Sequence, residues 1–171
     1  MLYFPVQIKP GNKEHNMFRH GIVIIRFIMT LSLYLQCLPL ALAAEKTLET
    51  LPGGQIIVFE QAVKMIKGDN IYLLDVRNPV NYGRGHITGA EFISYDSKSR
   101  NIVDFDASQD SFDLNSLPEN KRTSLIFYSH GITGWKSYKA AVQAVRAGHE
   151  MVYWYRGGFS DWENRGGQTA H

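Results

Sequence analysis

Short apolar runs alternate with helix-like segments after residue 54 of this chain, and this alternation restricts its fold more than any other feature. The run Ile71–Val76 is apolar except at Asp75, which is typical of a strand buried on both faces of a sheet. Two further runs, Ser124–Tyr128 and Met151–Tyr155, flank a helix-like segment over Trp135–Ala147. Strands that alternate with helices at this spacing form parallel sheets. The sequence therefore predicts an α/β fold: a single domain with a central parallel sheet and helices on both faces.

Shorter elements complete this pattern. Pro79 suits the first turn of a helix, where its missing N–H is not needed. The polar stretch 94–122 has no sustained hydrophobic period, so we expect a long loop with one helical turn near Leu114–Leu117. The other predicted elements are strands at Ile56–Val58 and Ala90–Ile93 and helices at Glu60–Lys67, Val80–Gly83 and Phe159–Arg165. The predicted division of the chain is a linker over residues 44–54, the α/β domain over 55–167 and a tail over 168–171.

The first 43 residues differ from the rest and have the pattern of an export signal. Basic residues precede an uncharged apolar stretch, which ends in an Ala-x-Ala site just before Ala44. This pattern predicts a secretory signal peptide over residues 1–43 and a periplasmic or secreted protein. Residues 1–16 are polar, so a later start at Met17 or Met29 stays open. The alternative is an uncleaved membrane anchor, because the 18 uncharged residues Phe27–Ala44 are near the lower limit for spanning a bilayer.

Cleavage before Ala44 would change both the thiol content and the charge of the chain. Cys37 is the only cysteine, so the processed chain would hold no thiol, no disulfide and no cysteine metal ligand. Four of the 18 Lys and Arg and one of the 16 Asp and Glu precede residue 44, so the net charge of +2 becomes −1. We therefore expect no nucleic-acid surface, no metal and no cofactor.

Three short motifs carry a resemblance to a known family. They are Leu73-Leu74-Asp75-Val76-Arg77, then Gly85-His86-Ile87-Thr88-Gly89-Ala90, and finally Gly157-Gly158-Phe159-Ser160-Asp161-Trp162. In order and spacing they resemble the rhodanese (sulfurtransferase) domain, and the resemblance covers roughly Gln55 to Gly167. It implies a domain in which a nucleophilic cysteine follows a central strand and begins an active-site loop.

Serine stands where this resemblance places the nucleophilic cysteine. The stretch Ser129–Ala141 aligns without a gap with the pattern Cys-Asn-Gly-x-x-Cys-x-x-Ser-x-Lys-Ala-Ala of exported rhodaneses with a longer loop. Ser129 and Gly134 then occupy the two cysteine positions. A serine alcohol is negligibly ionised at neutral pH and cannot carry a sulfane sulfur as a thiolate does. The resemblance therefore implies a domain that has lost its reactive atoms.

The segment around Ser129 nevertheless has the pattern of an anion site. It follows the carboxyl end of a predicted parallel strand, where ligands bind in open α/β sheets. It also leads into a helix, so several backbone N–H groups can form a nest that favours an anion. The predicted anion-binding loop consists of Ser129, His130, Gly131, Ile132, Thr133, Gly134 and Trp135.

Further charged residues are candidates for supporting roles. Asp75 and Arg77 lie at a buried strand end, where such pairs usually tie loops together by charge-assisted hydrogen bonds. His86 lies in a turn-like stretch, and we interpret it as a loop residue that bonds to its neighbours. Two interpretations are open for Lys136 and Lys139, which either complement a bound anion or occupy solvated helix positions.

Three functions are compatible with this pattern. The first is a non-catalytic, rhodanese-like protein of the cell envelope that binds a small oxyanion or a protein partner through the former active-site loop. The alternative is a sulfurtransferase or a sulfur-relay component whose cysteine comes from another chain. The third is a serine hydrolase that uses Ser129 and the adjacent His130, although no acidic residue to orient the histidine is evident. A membrane is a partner only if the N-terminal segment is retained.

Overall fold

Residues 46–171, the part of the chain that the computed structural model describes, contain strands, α-helices and 3₁₀ turns in alternation. The strands are β1 (Gln55–Ile57), β2 (Ile71–Asp75), β3 (His86–Ile87), β4 (Glu91–Phe92), β5 (Ser124–Tyr128), β6 (Val152–Tyr155) and β7 (Thr169–Ala170). The α-helices are α1 (Phe59–Met65), α2 (Pro79–Arg84), α3 (Trp135–Arg146) and α4 (Gly158–Asn164). Five strands form a parallel sheet in the order β1-β6-β5-β2-β4. The predicted parallel sheet is confirmed.

Strand β5 lies in the middle of this sheet and shows how both faces are covered. Leu125 and Phe127 belong to one core cluster, whereas Ile126 and Tyr128 belong to the other. All four side chains are fully buried, which explains the uninterrupted apolar run. The first cluster includes Trp135, Tyr138 and Ala141 of α3, and the second includes Ala62 of α1 and Trp162 of α4. Helices therefore cover both faces, as predicted.

The register between β2 and β5 positions the candidate functional site. Asp75, the last residue of β2, pairs with Tyr128, the last residue of β5. The Val76 N–H also donates to the Tyr128 carbonyl oxygen at 3.2 Å. The segments that follow the two strands therefore leave the sheet side by side, and this brings Arg77 close to Ser129.

The long loop 94–122 contains two helical turns rather than the one predicted. The expected turn is present at Leu114–Ser116, and a second is formed by Ala107–Gln109. Each is preceded by an aspartate, Asp106 or Asp113, whose carboxylate accepts a backbone N–H. Side-chain caps of this kind stabilise single turns that have no hydrophobic period, so the apolar pattern does not indicate the first one.

Both flanks of the domain pack onto it. Residues 168–171, expected to form a tail, contain β7, which pairs antiparallel with β3. The expected linker 44–54 places Leu51 in the core and buries Thr47. Each flank is held by backbone hydrogen bonds or by one or two side chains, and such short contacts leave no periodic signal in a sequence.

The predicted signal peptide over residues 1–43 lies outside the described residues. Within residues 46–171, no helix combines the length and the apolar character needed to cross a membrane. The same residues contain no group of three or more His, Cys, Asp or Glu side chains that could hold a metal ion.

Candidate functional site

The predicted anion-binding loop lies at the carboxyl edge of the sheet. It follows β5, which ends at Tyr128, and leads into α3, which begins at Trp135. The 12 residues of α3 have an amphipathic pattern that packs one side onto the sheet. The sheet and α3 thus hold the two ends of residues 129–134 in place.

The Ser129 side chain points into the loop rather than into solvent. Ser129 is 2% exposed, and its Oγ lies 3.0 Å from the Gly134 carbonyl oxygen and 2.8 Å from Ser137 Oγ. Ser137 Oγ in turn accepts a hydrogen bond from Trp154 Nε1 at 3.0 Å. Among the described residues, Ser129 Oγ has no histidine partner. Its hydroxyl is therefore hydrogen-bonded within the loop and to the first turn of α3.

Two glycines allow the backbone segments of the site to approach closely. A Cβ at Gly134 would clash with Ser129 Oγ and would lie 2.9 Å from the Gly131 carbonyl oxygen. Gly158 has a φ of +62°, and a Cβ there would lie 2.5 Å from the Ser129 carbonyl oxygen. Gly134 is required by space within the loop, and Gly158 is required by both space and backbone conformation.

Groups outside the loop hold three of its carbonyls. The first N–H groups of α4, which have no partner within their own helix, are used in this way. Phe159 N–H donates to the Ser129 carbonyl at 2.8 Å, and Ser160 N–H donates to the His130 carbonyl at 2.9 Å. Thr47 N–H donates to the Ile132 carbonyl at 2.8 Å.

This anchoring sets the direction of the N–H groups of the loop. No peptide bond in the described residues is cis, so each C=O and the N–H of the next residue point in opposite directions. The N–H groups of His130, Gly131 and Thr133 therefore point away from the anchoring groups. Two others are used within the loop, since Gly134 N–H donates to Gly131 O at 2.7 Å and Trp135 N–H to Thr133 O at 3.2 Å. Fewer N–H groups are therefore available for the predicted nest than the seven residues assigned to it would provide.

A pocket of about 370 Å³ opens beside the loop. Its charged lining residues are Arg77 and Lys136, and none of the described residues that line it is an aspartate or a glutamate. The rest of the wall is largely polar and comes from three segments. The lining consists of Arg77, Asn78, Asn81, Ser97, Ser99, Asn101, Ser129, His130, Thr133, Gly134, Trp135 and Lys136. Asn78, Asn81, Asn101, Ser97 and Ser99 were not identified from the sequence, because none of them belongs to a recognisable motif.

Arg77 is fixed in the wall of this pocket by Asp75. Its Nη2 donates to Asp75 Oδ2 and to the Gly85 carbonyl oxygen, each at 2.6 Å, and both side chains are almost fully buried. The Arg77 guanidinium also lies 4.2 Å from the centre of the Phe159 ring. Burial, reinforced by the Asp75 carboxylate, raises the pKa of Tyr128 beside this pair. The expectation that Asp75 and Arg77 tie loops together agrees with these contacts.

The two candidate histidines lie in different places. His86 Nδ1 is 3.1 Å from the Tyr82 carbonyl oxygen, and its ring stacks on Tyr82 with centroids 3.9 Å apart. His86 is therefore a loop-stabilising residue away from the pocket. His130 is exposed and lines both the pocket and a neighbouring cavity of about 250 Å³.

Lys139 fits neither of the two interpretations that the sequence left open. It is fully buried, and its Nζ donates to Ser97 Oγ at 2.6 Å, to Ser99 O at 2.9 Å and to Ser99 Oγ at 2.8 Å. Burial lowers the pKa of Lys139, and the Asp110 carboxylate 3.6 Å away opposes that shift. Lys139 thus holds the segment that supplies Ser97 and Ser99 to the pocket. Its position within the apolar stripe of α3 was the available signal.

Asp110 completes this buried polar cluster. Its carboxylate accepts from Tyr95 OH at 2.6 Å, from Lys98 N at 2.7 Å and from Ser99 N at 2.6 Å. Burial alone would raise the pKa of Asp110, but these hydrogen bonds together hold it well below its ordinary value. The Asp110 carboxylate is therefore ionised and hydrogen-bonded at neutral pH.

The comparisons with known proteins agree with this fold. The family model of the rhodanese-like domain matches residues 58–165. The chain belongs to the rhodanese-like domain family. Thiosulfate sulfurtransferase GlpE from Pseudoalteromonas translucida is 31% identical over 107 residues, which cover 63% of this chain and 87% of the relative. GlpE from Pseudomonas putida is 29% identical over 103 residues, covering 60% and 79%.

Solved structures of similar proteins show the same fold. The Alr3790 protein from Anabaena sp. superposes with a TM-score of 0.51 at 22% identity, covering 67% of this chain and 79% of that one. RPA3614 from Rhodopseudomonas palustris, described as a possible tyrosine phosphatase, superposes with a TM-score of 0.51 at 21% identity, covering 70% and 86%. At these identities the likeness concerns the fold alone.

Proposed function

We propose that this rhodanese-like protein binds a small oxyanion in the pocket beside residues 129–134 without transferring sulfur. The observation that carries the proposal is the composition of that pocket. Lys136 provides positive charge, and Arg77 adds a guanidinium whose charge Asp75 offsets in part. The surrounding side chains are hydrogen-bonding groups, and no carboxylate lies among the described lining residues. Such a wall favours an anion over a cation or an apolar ligand.

Two residues that line the pocket, His130 and Thr133, carry N–H groups directed away from the anchoring groups, and this supports the same ligand class. Hydrogen bonds from N–H groups to a charged oxygen each contribute about 1.5–3 kcal/mol before the costs of desolvation and ordering. The open pocket leaves the anion partly hydrated, so much of this gain is offset. We therefore expect a dissociation constant on the order of millimolar.

The environment of Ser129 supports a non-catalytic role. Sulfur transfer requires a thiolate that accepts and releases a sulfane sulfur. Ser129 offers an alcohol that is buried and hydrogen-bonded to the Gly134 carbonyl and to Ser137. The relatives named GlpE are thiosulfate sulfurtransferases, so thiosulfate is the natural probe for the alternative function.

A titration and a mass measurement on one protein test the proposal. The chain carries Cys37→Ser, so that no thiol is present in any processed form. Titration with sulfate should shift the amide NMR signals of His130, Gly131, Thr133 and Lys136 more than other signals. Incubation with thiosulfate should add no sulfur mass. A gain of one sulfur atom would establish the sulfurtransferase alternative and refute ours, and unshifted loop signals would refute anion binding.

Two variants of matched charge show whether the pocket is the site. Lys136→Met should weaken sulfate binding because it removes a cation from the pocket wall. Lys67→Met removes the same charge beside a separate cavity that Phe59 and Trp162 also line, and it should leave sulfate binding unchanged. Equal losses in both variants would indicate a general effect of net charge rather than a site.

Restoring a thiol tests whether the loop still polarises the group at position 129. In the Cys37→Ser background, Ser129→Cys should give a thiol with a pKa below the ordinary value of about 8.5, because Lys136 lies in the same pocket wall as residue 129 and favours a thiolate there. A thiol that titrates at or above the ordinary value would mean that the loop no longer stabilises negative charge.

We also propose that the protein acts in the cell envelope, after removal of residues 1–43. The Ala-x-Ala site before Ala44 supports this location. N-terminal sequencing of protein from the periplasmic fraction should begin near Ala44. Recovery of an uncleaved chain in the membrane pellet would refute processing.

A further inference from the structure

Thr47, in the stretch predicted to be a linker, contacts the anion-binding loop directly. Its backbone N–H and its hydroxyl both donate to the Ile132 carbonyl oxygen, each at 2.8 Å. Thr47 is 3% exposed, although 85 positions separate it from Ile132 in the sequence. Two donors on one carbonyl use both of its lone pairs, so the orientation of this carbonyl is strongly determined.

Arg156 fixes Thr47 in turn. Its Nη2 donates to the Thr47 carbonyl oxygen at 2.8 Å, and its Nε donates to Thr47 Oγ1 at 3.2 Å. Because the hydroxyl accepts from Arg156, its single proton is directed to Ile132. Arg156 follows β6, the neighbour of β5 in the sheet, so this contact links the flank to a rigid element.

Apolar contacts secure the same stretch beyond Thr47. Leu51 is 6% exposed and belongs to the core cluster that includes Trp135 and Tyr138 of α3. Leu48 is half-buried and packs against the same cluster. Residues 46–51 therefore lie on the domain through both polar and apolar contacts.

We propose that residues 46–51 form a strap that positions the anion-binding loop, with Thr47 as the positioning residue. The Ile132–Thr133 peptide is trans, so holding the Ile132 carbonyl toward Thr47 directs the Thr133 N–H to the opposite side. Thr133 lines the pocket, and its N–H is one of the three directed away from the anchors. The strap lies outside residues 58–165, which the family match covers. Its consequence for ligand affinity rests on the proposed function.

Conservative changes at Thr47 test the strap without any ligand. Thr47→Val keeps the shape and the N–H but loses the hydroxyl, whereas Thr47→Ser keeps the hydroxyl. Thr123→Val is the matched control, because Thr123 is 2% exposed and its hydroxyl lies 3.5 Å from Asn70, a residue outside the loop. NMR order parameters of the Ile132 and Thr133 amides should fall in Thr47→Val and stay unchanged in Thr47→Ser and Thr123→Val. Unchanged order parameters in Thr47→Val would overturn the proposal.

Sulfate affinity is the second measurement. Loss of one neutral hydrogen bond changes an equilibrium constant by about two- to tenfold. Thr47→Val should therefore weaken sulfate binding by about two- to tenfold, and Thr47→Ser should restore it. An equal loss in Thr123→Val would indicate general loosening and would overturn a positioning role. If the unsubstituted chain binds no sulfate, the proposed function fails, while the order parameters still decide whether the strap holds the loop.

Discussion

Substitutions at the two lysines near the loop should separate an effect on stability from an effect on ligand binding. Lys139 is fully buried and donates three hydrogen bonds to Ser97 and Ser99. Lys136 is partly exposed and lines the pocket. We expect Lys139→Met to lower the free energy of unfolding strongly and Lys136→Met to change it little.

The magnitude for Lys139→Met follows from what each partner retains. Removing one partner of a buried ion pair usually costs about 3–5 kcal/mol, because the other charge is left uncompensated. Here Asp110 keeps hydrogen bonds from Tyr95, Lys98 and Ser99, so its charge stays partly satisfied. In Lys139→Met the oxygen atoms of Ser97 and Ser99 also lose their hydrogen-bond donor. Leaving a buried acceptor without a donor costs about 1–3 kcal/mol. We therefore expect a loss of about 2–4 kcal/mol.

Urea denaturation, followed by tryptophan fluorescence, measures both variants. Lys139→Met should shift the midpoint to lower urea at an unchanged slope, which identifies a change in stability. Lys136→Met should stay within about 0.5 kcal/mol of the unsubstituted chain, as is usual for exposed positions. A loss below about 0.5 kcal/mol in Lys139→Met, or equal losses in both variants, would refute the role of the buried cluster.

Two further predictions concern Gly134 and His149. Gly134→Ala should cost about 1–3 kcal/mol, because its Cβ would clash with Ser129 Oγ and lie 2.9 Å from the Gly131 carbonyl oxygen. Adding Ser129→Ala should relieve only part of that loss, since the backbone clash remains, and Gly83→Ala, where a Cβ meets nothing within 4 Å, should not destabilise. His149 is buried, and burial, reinforced by Lys121, lowers its pKa from the ordinary 6.5. The unfolded chain therefore binds this proton more readily, so the stability contributed by neutral His149 is present above pH 6.5 and declines as the pH falls below it. Urea unfolding at pH 7.5 and 5.5 measures how much the free energy of unfolding falls with pH. This fall should be smaller in His149→Gln than in the unsubstituted chain, and an equal fall would contradict this assignment.

Much of the fold could be predicted from the sequence because its elements bury regular patterns. The run Ile71–Val76 and the run Ser124–Tyr128 are apolar because both faces of β2 and β5 are covered. The segment from Trp135 has a helical period because α3 packs on the sheet. The two-residue strand Thr169–Ala170 could not be predicted in this way, since its pairing with β3 uses backbone groups that every residue has.

The site was predictable where it follows a strand and unpredictable where distant segments meet. Ser129 could be placed at the carboxyl end of the sheet because it directly follows the apolar run of β5, and the family resemblance indicated the extent of the loop. The Lys139–Asp110 pair and the Thr47–Ile132 contact join residues that are far apart in sequence, and nothing local indicates such partners. The hydrogen bond between Arg77 and Asp75 could be expected, because the two residues are close in sequence and lie at a buried strand end.

The anchors of the loop explain how its shape is maintained with serine at position 129. Phe159, Ser160 and Thr47 act on backbone carbonyls, and none of these bonds involves the side chain at 129. That side chain contributes separately, because Ser129 Oγ donates to the Gly134 carbonyl oxygen and also shares a hydrogen bond with Ser137 Oγ. An alcohol makes such bonds better than a thiol, which is a weak donor and acceptor. Serine at position 129 therefore stabilises the loop through its hydroxyl, and the anion binding that we propose would use the N–H groups of His130 and Thr133 rather than this side chain.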